Sequence, residues 1–181
     1  MIYAGIGSRT TPKNIKFIMC ELAERLEDEG HILRSGGAIG ADTAFEHGIK
    51  YPKNKQIFYA SNNVPFWCFE KIKKYIPKNR PPFEKWKSYA KKIVARNMQI
   101  FFGNDFQTVD FVICWTPFID YTDAGGTGYI LRCAHEHNIP IYNLYIKHDL
   151  DIINFYLENK NLLFKEEITE RVISFAVNVY I

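Results

Sequence analysis

Three short apolar runs in this 181-residue chain each lead, by way of a glycine-bearing loop, into residues of helical spacing. Ile2 to Ile6 passes through Gly5 and Gly7 into Ser8-Arg9-Thr10-Thr11-Pro12, after which Ile15, Ile18, Met19, Leu22 and Leu26 recur on one helical face. His31 to Arg34 runs into Ser35-Gly36-Gly37-Ala38-Ile39-Gly40-Ala41-Asp42, and Ala41, Ala44 and Phe45 then line a short helix ending near Gly48. Val109 to Trp115 is almost continuously apolar, as a strand covered on both faces must be, and Gly125-Gly126-Thr127-Gly128 opens the helix that comes after it. Gln56 to Ala60 and Pro140 to Tyr145 supply two further strands. This alternation predicts an α/β fold, a doubly wound and mainly parallel five-stranded sheet with helices on both faces.

Local signals place the remaining elements. Thr11 is positioned to cap the first helix, Pro12 suits its first turn and Gly30 suits the position past its end. A helix is expected from Glu84 to about Ile100, with Trp86, Tyr89, Ala90, Ile93 and Asn97 on its apolar face. Residues 61–84, broken by Pro65, Pro77, Pro81 and Pro82, read as an irregular lid or insertion. The length fits a single domain over 1–181, with a core over 1–145 and two more helices in a C-terminal extension over 146–181.

A content of 47% hydrophobic and 24% charged residues excludes a disordered chain. The four cysteines contain no CxxC pair and read as reduced thiols, mostly within apolar patterns. The N-terminal apolar stretch is too short for a signal peptide, and no run approaches the ~20 residues that span a bilayer. A cytoplasmic protein without membrane association is expected. The histidines lack metal-ligand spacing, so neither a metal nor a cofactor is expected.

The net charge of +3 hides an uneven distribution. Residues 50–96 hold 13 Lys or Arg against Glu70 and Glu84, a net of +11, so the remainder carries −8. An anionic partner follows, either a small phosphorylated ligand or a single nucleic-acid strand held by the lysines and interleaved aromatics.

In an open parallel sheet, ligands bind beyond the carboxyl ends of the strands. The glycine loops fall there, and a main chain without Cβ atoms can bring its amides close to a phosphate. The candidate ligand-binding residues are Gly7, Ser8 and Arg9 after the first strand; Ser35, Gly36, Gly37 and Asp42 after the second; Tyr59 in the third; and Trp115 and Thr116 after the fourth. Gly125, Gly126, Thr127 and Gly128 join them at a helix start, with Arg96 and Asn97 from the preceding helix. Arg9 and Arg96 would clamp the anion, and Trp115 or Tyr59 would lie against a base. Asp42 and Glu46, four apart on one helix face, are open to two readings: ribose contact or catalytic carboxylates on one side, helix capping and a solvated surface on the other.

Gly5 to Arg9, Leu33 to Glu46, Ala95-Arg96-Asn97, Phe111 to Thr116, Gly125 to Gly128 and Ile139 to Leu144 together resemble the Rossmann-like superfamily called SLOG. It groups the core of DNA-processing protein A (DprA) with the Lonely Guy (LOG) hydrolases, and the likeness is nearest to small stand-alone DprA-like members common in phage genomes. The resemblance implies a glycine-lined nucleotide site and a homo-oligomer, dimer or larger. It allows three functions. The first is binding of a nucleotide or ADP-ribose-like signal, sequestered in phage–host defence. The second is LOG-like N-glycosidase action on a nucleoside 5′-monophosphate, with Glu46, Asp42 and Arg96 catalytic. The third is DprA-like binding of single-stranded DNA. The LOG glutamate after the glycine loop is not matched here, where the loop continues Tyr129-Ile130-Leu131, and that favours the first.

Overall fold

The computed structural model describes residues 1–117 and 125–164. Five strands, β1 (Ile2–Gly7), β2 (Ile32–Ser35), β3 (Lys55–Ile57), β4 (Phe111–Trp115) and β5 (Ile141–Asn143), form one sheet in the order β3-β2-β1-β4-β5. Every pairing is parallel. The helices are α1 (Lys13–Asp28), α2 (Ala41–Gly48), α3 (Phe66–Ile72), α4 (Ser88–Phe102), α5 (Thr127–Glu136) and α6 (Lys147–Glu158). The result is a Rossmann-like α/β fold in which the chain leaves β1 in one direction to build β2 and β3, and later returns on the other side with β4 and β5.

The two-residue period of the strands sorts the core into two layers. Ile2, Ala4 and Ile6 of β1, with Val112 and Cys114 of β4, face residues from α3, α4 and α5. Tyr3 of β1, with Phe111 and Ile113 of β4, faces α1, α2 and α6. Gly5, whose position falls on the second side, leaves no room for a side chain, since a Cβ there would come within 2.7 Å of both Leu33 and the Phe45 ring. Among the described residues no helix is long and apolar enough to cross a membrane.

Several boundaries depart from the sequence expectation. Thr11 does not cap α1; its hydroxyl donates to the Ser8 carbonyl at 2.7 Å, which fixes the β1–α1 loop, and Pro12 takes the capping position without a side-chain bond. Residues 61–84 are not loose. They contain α3 and bury Cys68, Ile72, Tyr75 and Phe83 against the α4 and α5 layer, because the prolines fall between short helical turns rather than within them. The helix expected from Glu84 starts at Ser88, since Phe83–Lys85 form a separate 3-10 turn. Its deeply buried side carries Ala95, Met98 and Phe101, while Tyr89, expected inside, is 69% exposed. Cys20 is half-buried and Cys68, Cys114 and Cys133 are buried thiols. The second expected C-terminal helix lies outside the described residues.

The basic segment lies against the acidic body. Lys50 pairs with Glu24 at 2.5 Å, Lys55 with Glu46 at 3.5 Å, and Lys74 with Glu136. Lys71 sits 3.6 Å above the Phe102 ring.

Candidate functional site

Strand order reverses between β1 and β4, so the loops that follow them diverge and leave a crevice at the sheet's carboxyl edge. A cavity of about 590 Å³ occupies it. Gly7, Ser8, Arg9 and Thr10 form one wall, Thr116 and Pro117 another, and Gly125, Gly126 and Thr127 at the start of α5 a third. Asp42 of α2 and Arg96 and Asn97 of α4 reach in from opposite faces of the sheet, and Ile6, Ile93, Ile100 and Ile130 make an aliphatic lining. The residues of α4 expected to pack inward thus divide, with Ile93, Asn97 and the neighbouring Arg96 turned to the cavity.

The β1 and β2 loops are built around Asp42. Its carboxylate accepts the amide of Gly7 at 3.2 Å and that of Ala38 at 3.3 Å. Gly40, at φ +113°, brings the β2–α2 turn against the Ser8 carbonyl, which also accepts the Ala41 amide at 3.3 Å. Ser8 spends its hydroxyl within its own loop, on Thr10 Oγ1 at 2.8 Å and the Thr10 amide at 3.1 Å. Burial pushes the Asp42 carboxyl up to about 6, against the opposing pull of Arg96 and of the backbone amides of Ala38, Gly7 and Gly36. At least two of the amides expected to meet a phosphate are therefore already engaged by a carboxylate.

Arg96 is the opposite case. It is 7% exposed, it makes no hydrogen bond or ion pair among the described residues, and its Nε is buried without a partner. Burial lowers its pKa, with Asp42 and Tyr89 acting the other way. Gly36 makes the room, since a Cβ there would overlap Arg96 Nη1 and stand 2.8 Å from Asp42 Oδ2. Beside Arg96, Asn97 Nδ2 donates to the Gly126 carbonyl at 2.9 Å and ties α4 to the first turn of α5. That turn presents amides with no intrahelical acceptor and the positive end of the helix dipole.

The chain matches no protein-family model, no curated protein and no solved structure. Its functional reading therefore rests on this geometry.

The cavity brings together Gly7, Ser8, Arg9, Asp42, Arg96, Asn97, Thr116, Gly125, Gly126 and Thr127 of the expected site. Other expected residues lie outside its lining. Ser35 is fully buried and donates to the Gly5 carbonyl at 2.6 Å, so it joins two strands. Gly36 and Gly37 make room for Arg96 and for the Tyr59 ring, respectively. Tyr59 covers Gly37 at the surface, Trp115 packs edge-on to Tyr145 at 5.8 Å, and Gly128 is buried within α5. Glu46 points to Lys55 one turn beyond Asp42. No residue of 61–84 lines the cavity, since that segment is held in the helical layer.

Two contributions escaped the sequence reading. Asn143, 1% exposed at the end of β5, accepts the Thr116 amide at 3.0 Å and donates to the Thr116 carbonyl at 2.9 Å, which fixes the β4 wall. A buried asparagine closing the apolar run Ile139 to Tyr142 was its one signal. The aliphatic lining was read as core, because isoleucine at helical spacing has no other local meaning.

Proposed function

We propose that this protein binds a small phosphorylated ligand of nucleotide type in the cavity between β1 and β4. Arg96 carries the reading. A buried guanidinium without a hydrogen-bond partner is costly, and the neighbouring first turn of α5 offers further donors toward the same space, so an anion there would satisfy both. Arg9, exposed at the mouth, adds a second positive charge, and the isoleucines suit an apolar part of the ligand. The volume falls in the range of small-molecule sites. The resemblance to SLOG proteins, with their nucleotide-derived ligands, agrees with this reading, and on that resemblance the proposal extends to a homo-oligomer that sequesters an ADP-ribose-like signal.

A second reading, N-glycosidase action, draws on Asp42, whose raised pKa in the cavity suits a group that stabilises or protonates a reacting nucleotide. Glu46 gives it no support from its place beside Lys55.

Incubation with nucleoside monophosphates and ADP-ribose derivatives, followed by mass spectrometry of free and protein-released compounds, separates these readings. Intact ligand retained by the native protein and lost in Arg96→Gln supports binding. Free base that disappears in Asp42→Asn supports hydrolysis. No retained or cleaved phosphate compound, together with tight salt-sensitive binding of single-stranded DNA, overturns both.

A further inference from the structure

Asp42 and Arg96 stand on either side of Gly36 in one cavity, yet no hydrogen bond or ion pair joins them. Asp42 comes from α2 and is steadied by the amides of Gly7 and Ala38. Arg96 comes from α4 on the opposite face of the sheet. Among the described residues, the charged groups sharing the cavity lining with Asp42 are Arg96 and, from the β1–α1 loop, Arg9. Tyr89 of α4 lies near Arg96. Among the described residues, the end of β4 and the start of α5 bring only Thr116, Pro117, Gly125, Gly126 and Thr127, which are uncharged. On α2 itself, Glu46 is turned to Lys55 and His47 is exposed.

Arg96 thus has Asp42 as its internal counter-charge, and a bound anion would be another. Two negative groups beside one buried guanidinium repel, and such a pair is relieved when one of them is protonated. Building on the anion-binding reading above, we infer that the cavity exchanges counter-charges: the incoming anion takes over Arg96, and Asp42 takes up a proton from solvent. One O–H bond forms on the carboxylate, nothing else breaks or forms, and a singly charged anion enters without changing the net charge of the cavity. Because burial already pushes Asp42 up to about 6, proton uptake near neutral pH requires only a modest further shift. The Gly7 and Ala38 amides keep an acceptor in either state, so the loops need not rearrange. Ligand capture is then regulated by pH, tighter in acid and looser in alkali.

Sulfate is a suitable probe because its charge does not change across the relevant range. Its binding is followed by NMR at the Gly126 to Gly128 amides and at the Arg96 Nε–H, and by calorimetry in two buffers of different ionisation enthalpy. The apparent Kd is expected to weaken as pH rises above the Asp42 midpoint, by at most about tenfold per pH unit, with a net fraction of a proton taken up per sulfate near pH 7. Asp42→Asn is expected to bind at the native protein's acid limit at every pH and to take up no proton. If that variant does not fold, the proton count on the native protein decides alone. Sulfate binding with a pH-independent Kd and no proton uptake overturns the exchange and leaves the anion site standing. A pH slope that persists in Asp42→Asn also overturns it. No sulfate-dependent shift at these amides at any pH overturns both the exchange and the binding function.

Discussion

Among the described residues two arginines are buried, Arg34 and Arg96, and their surroundings differ in a way that burial alone would not reveal. Arg34 on β2 is 1% exposed, and its guanidinium donates to Gln56 Oε1 at 2.7 Å, the Gln107 carbonyl at 2.5 Å and Asp105 Oδ1 at 3.4 Å. It cross-links β3 and the α4–β4 loop to β2. Arg96 on α4 is almost as deeply placed and has no such partner. The first charge is consumed by the fold, whereas the second has no hydrogen-bond partner among the described residues and, on the proposed reading, is met by a bound anion. An unsatisfied group marks a site, and a satisfied one marks architecture.

The sharpest way to break this comparison is to remove Arg34. Arg34→Ala removes the donor shared by the Gln107 carbonyl and the Gln56 oxygen and opens a void where a buried side chain stood, so a loss of about 3 kcal/mol is expected in urea unfolding. Sulfate binding should persist where the variant remains folded. A loss below about 1 kcal/mol would mean that Arg34 is no more architectural than Arg96.

The next effect belongs to the counter-charge of Arg96. Asp42 is raised in the folded state, so folding takes up a proton between the ordinary aspartate range and about pH 6. The associated stability is fully present below the unfolded value and is lost as pH rises through about 6. Its size is about 3 kcal/mol. The difference in unfolding free energy between the native protein and Asp42→Asn should change by that order across the window, shifting in favour of the native protein as pH falls. A difference that stays constant with pH would place Asp42 in a wetter setting than its 5% exposure implies.

These two arginines also show what can be read from a sequence. Arg96 stood out because its neighbours three and seven residues before it, Ile93 and Tyr89, put it beside an apolar stripe. Arg34 passed as a strand-end charge, because its partners lie 22 to 73 residues away and only the folded loops bring them near. The parallel five-stranded sheet followed from local alternation, which is the information a sequence carries best, whereas its strand order came only with the fold. So did the use of the glycine amides. Gly7 and Asp42 are 35 residues apart, and only β1 beside β2 reveals that a side chain already fills the place given to phosphate. Tyr59 follows β3 and Trp115 ends β4, but which way a ring turns depends on tertiary neighbours.

Arg96→Gln should have a smaller effect on folding and a specific one on binding. Charge-assisted hydrogen bonds contribute about 1.5 to 3 kcal/mol, so sulfate or nucleotide affinity should fall by about ten- to a hundredfold. Stability should move by less than about 1 kcal/mol, since no protein hydrogen bond is lost. Gly36→Ala should mimic it, because the new methyl group occupies the place of Arg96 Nη1. Equal losses of stability in Arg96→Gln and Arg34→Ala would erase the distinction between the two residues.

The smallest effect separates Asp42 from the carboxylate one turn along the same helix. Glu46 faces Lys55 at 3.5 Å, both side chains are more than a fifth exposed, and neither lines the cavity. A pair of that kind contributes a few tenths of a kcal/mol, screened further by salt. Glu46→Gln should therefore leave ligand affinity within about twofold and stability within about 0.5 kcal/mol. It should also leave the pH dependence assigned to Asp42 intact. A Glu46→Gln variant that lost binding or flattened the pH response would show that the helix presents both carboxylates to the ligand, and the cavity would then extend one turn further along α2 than its lining indicates.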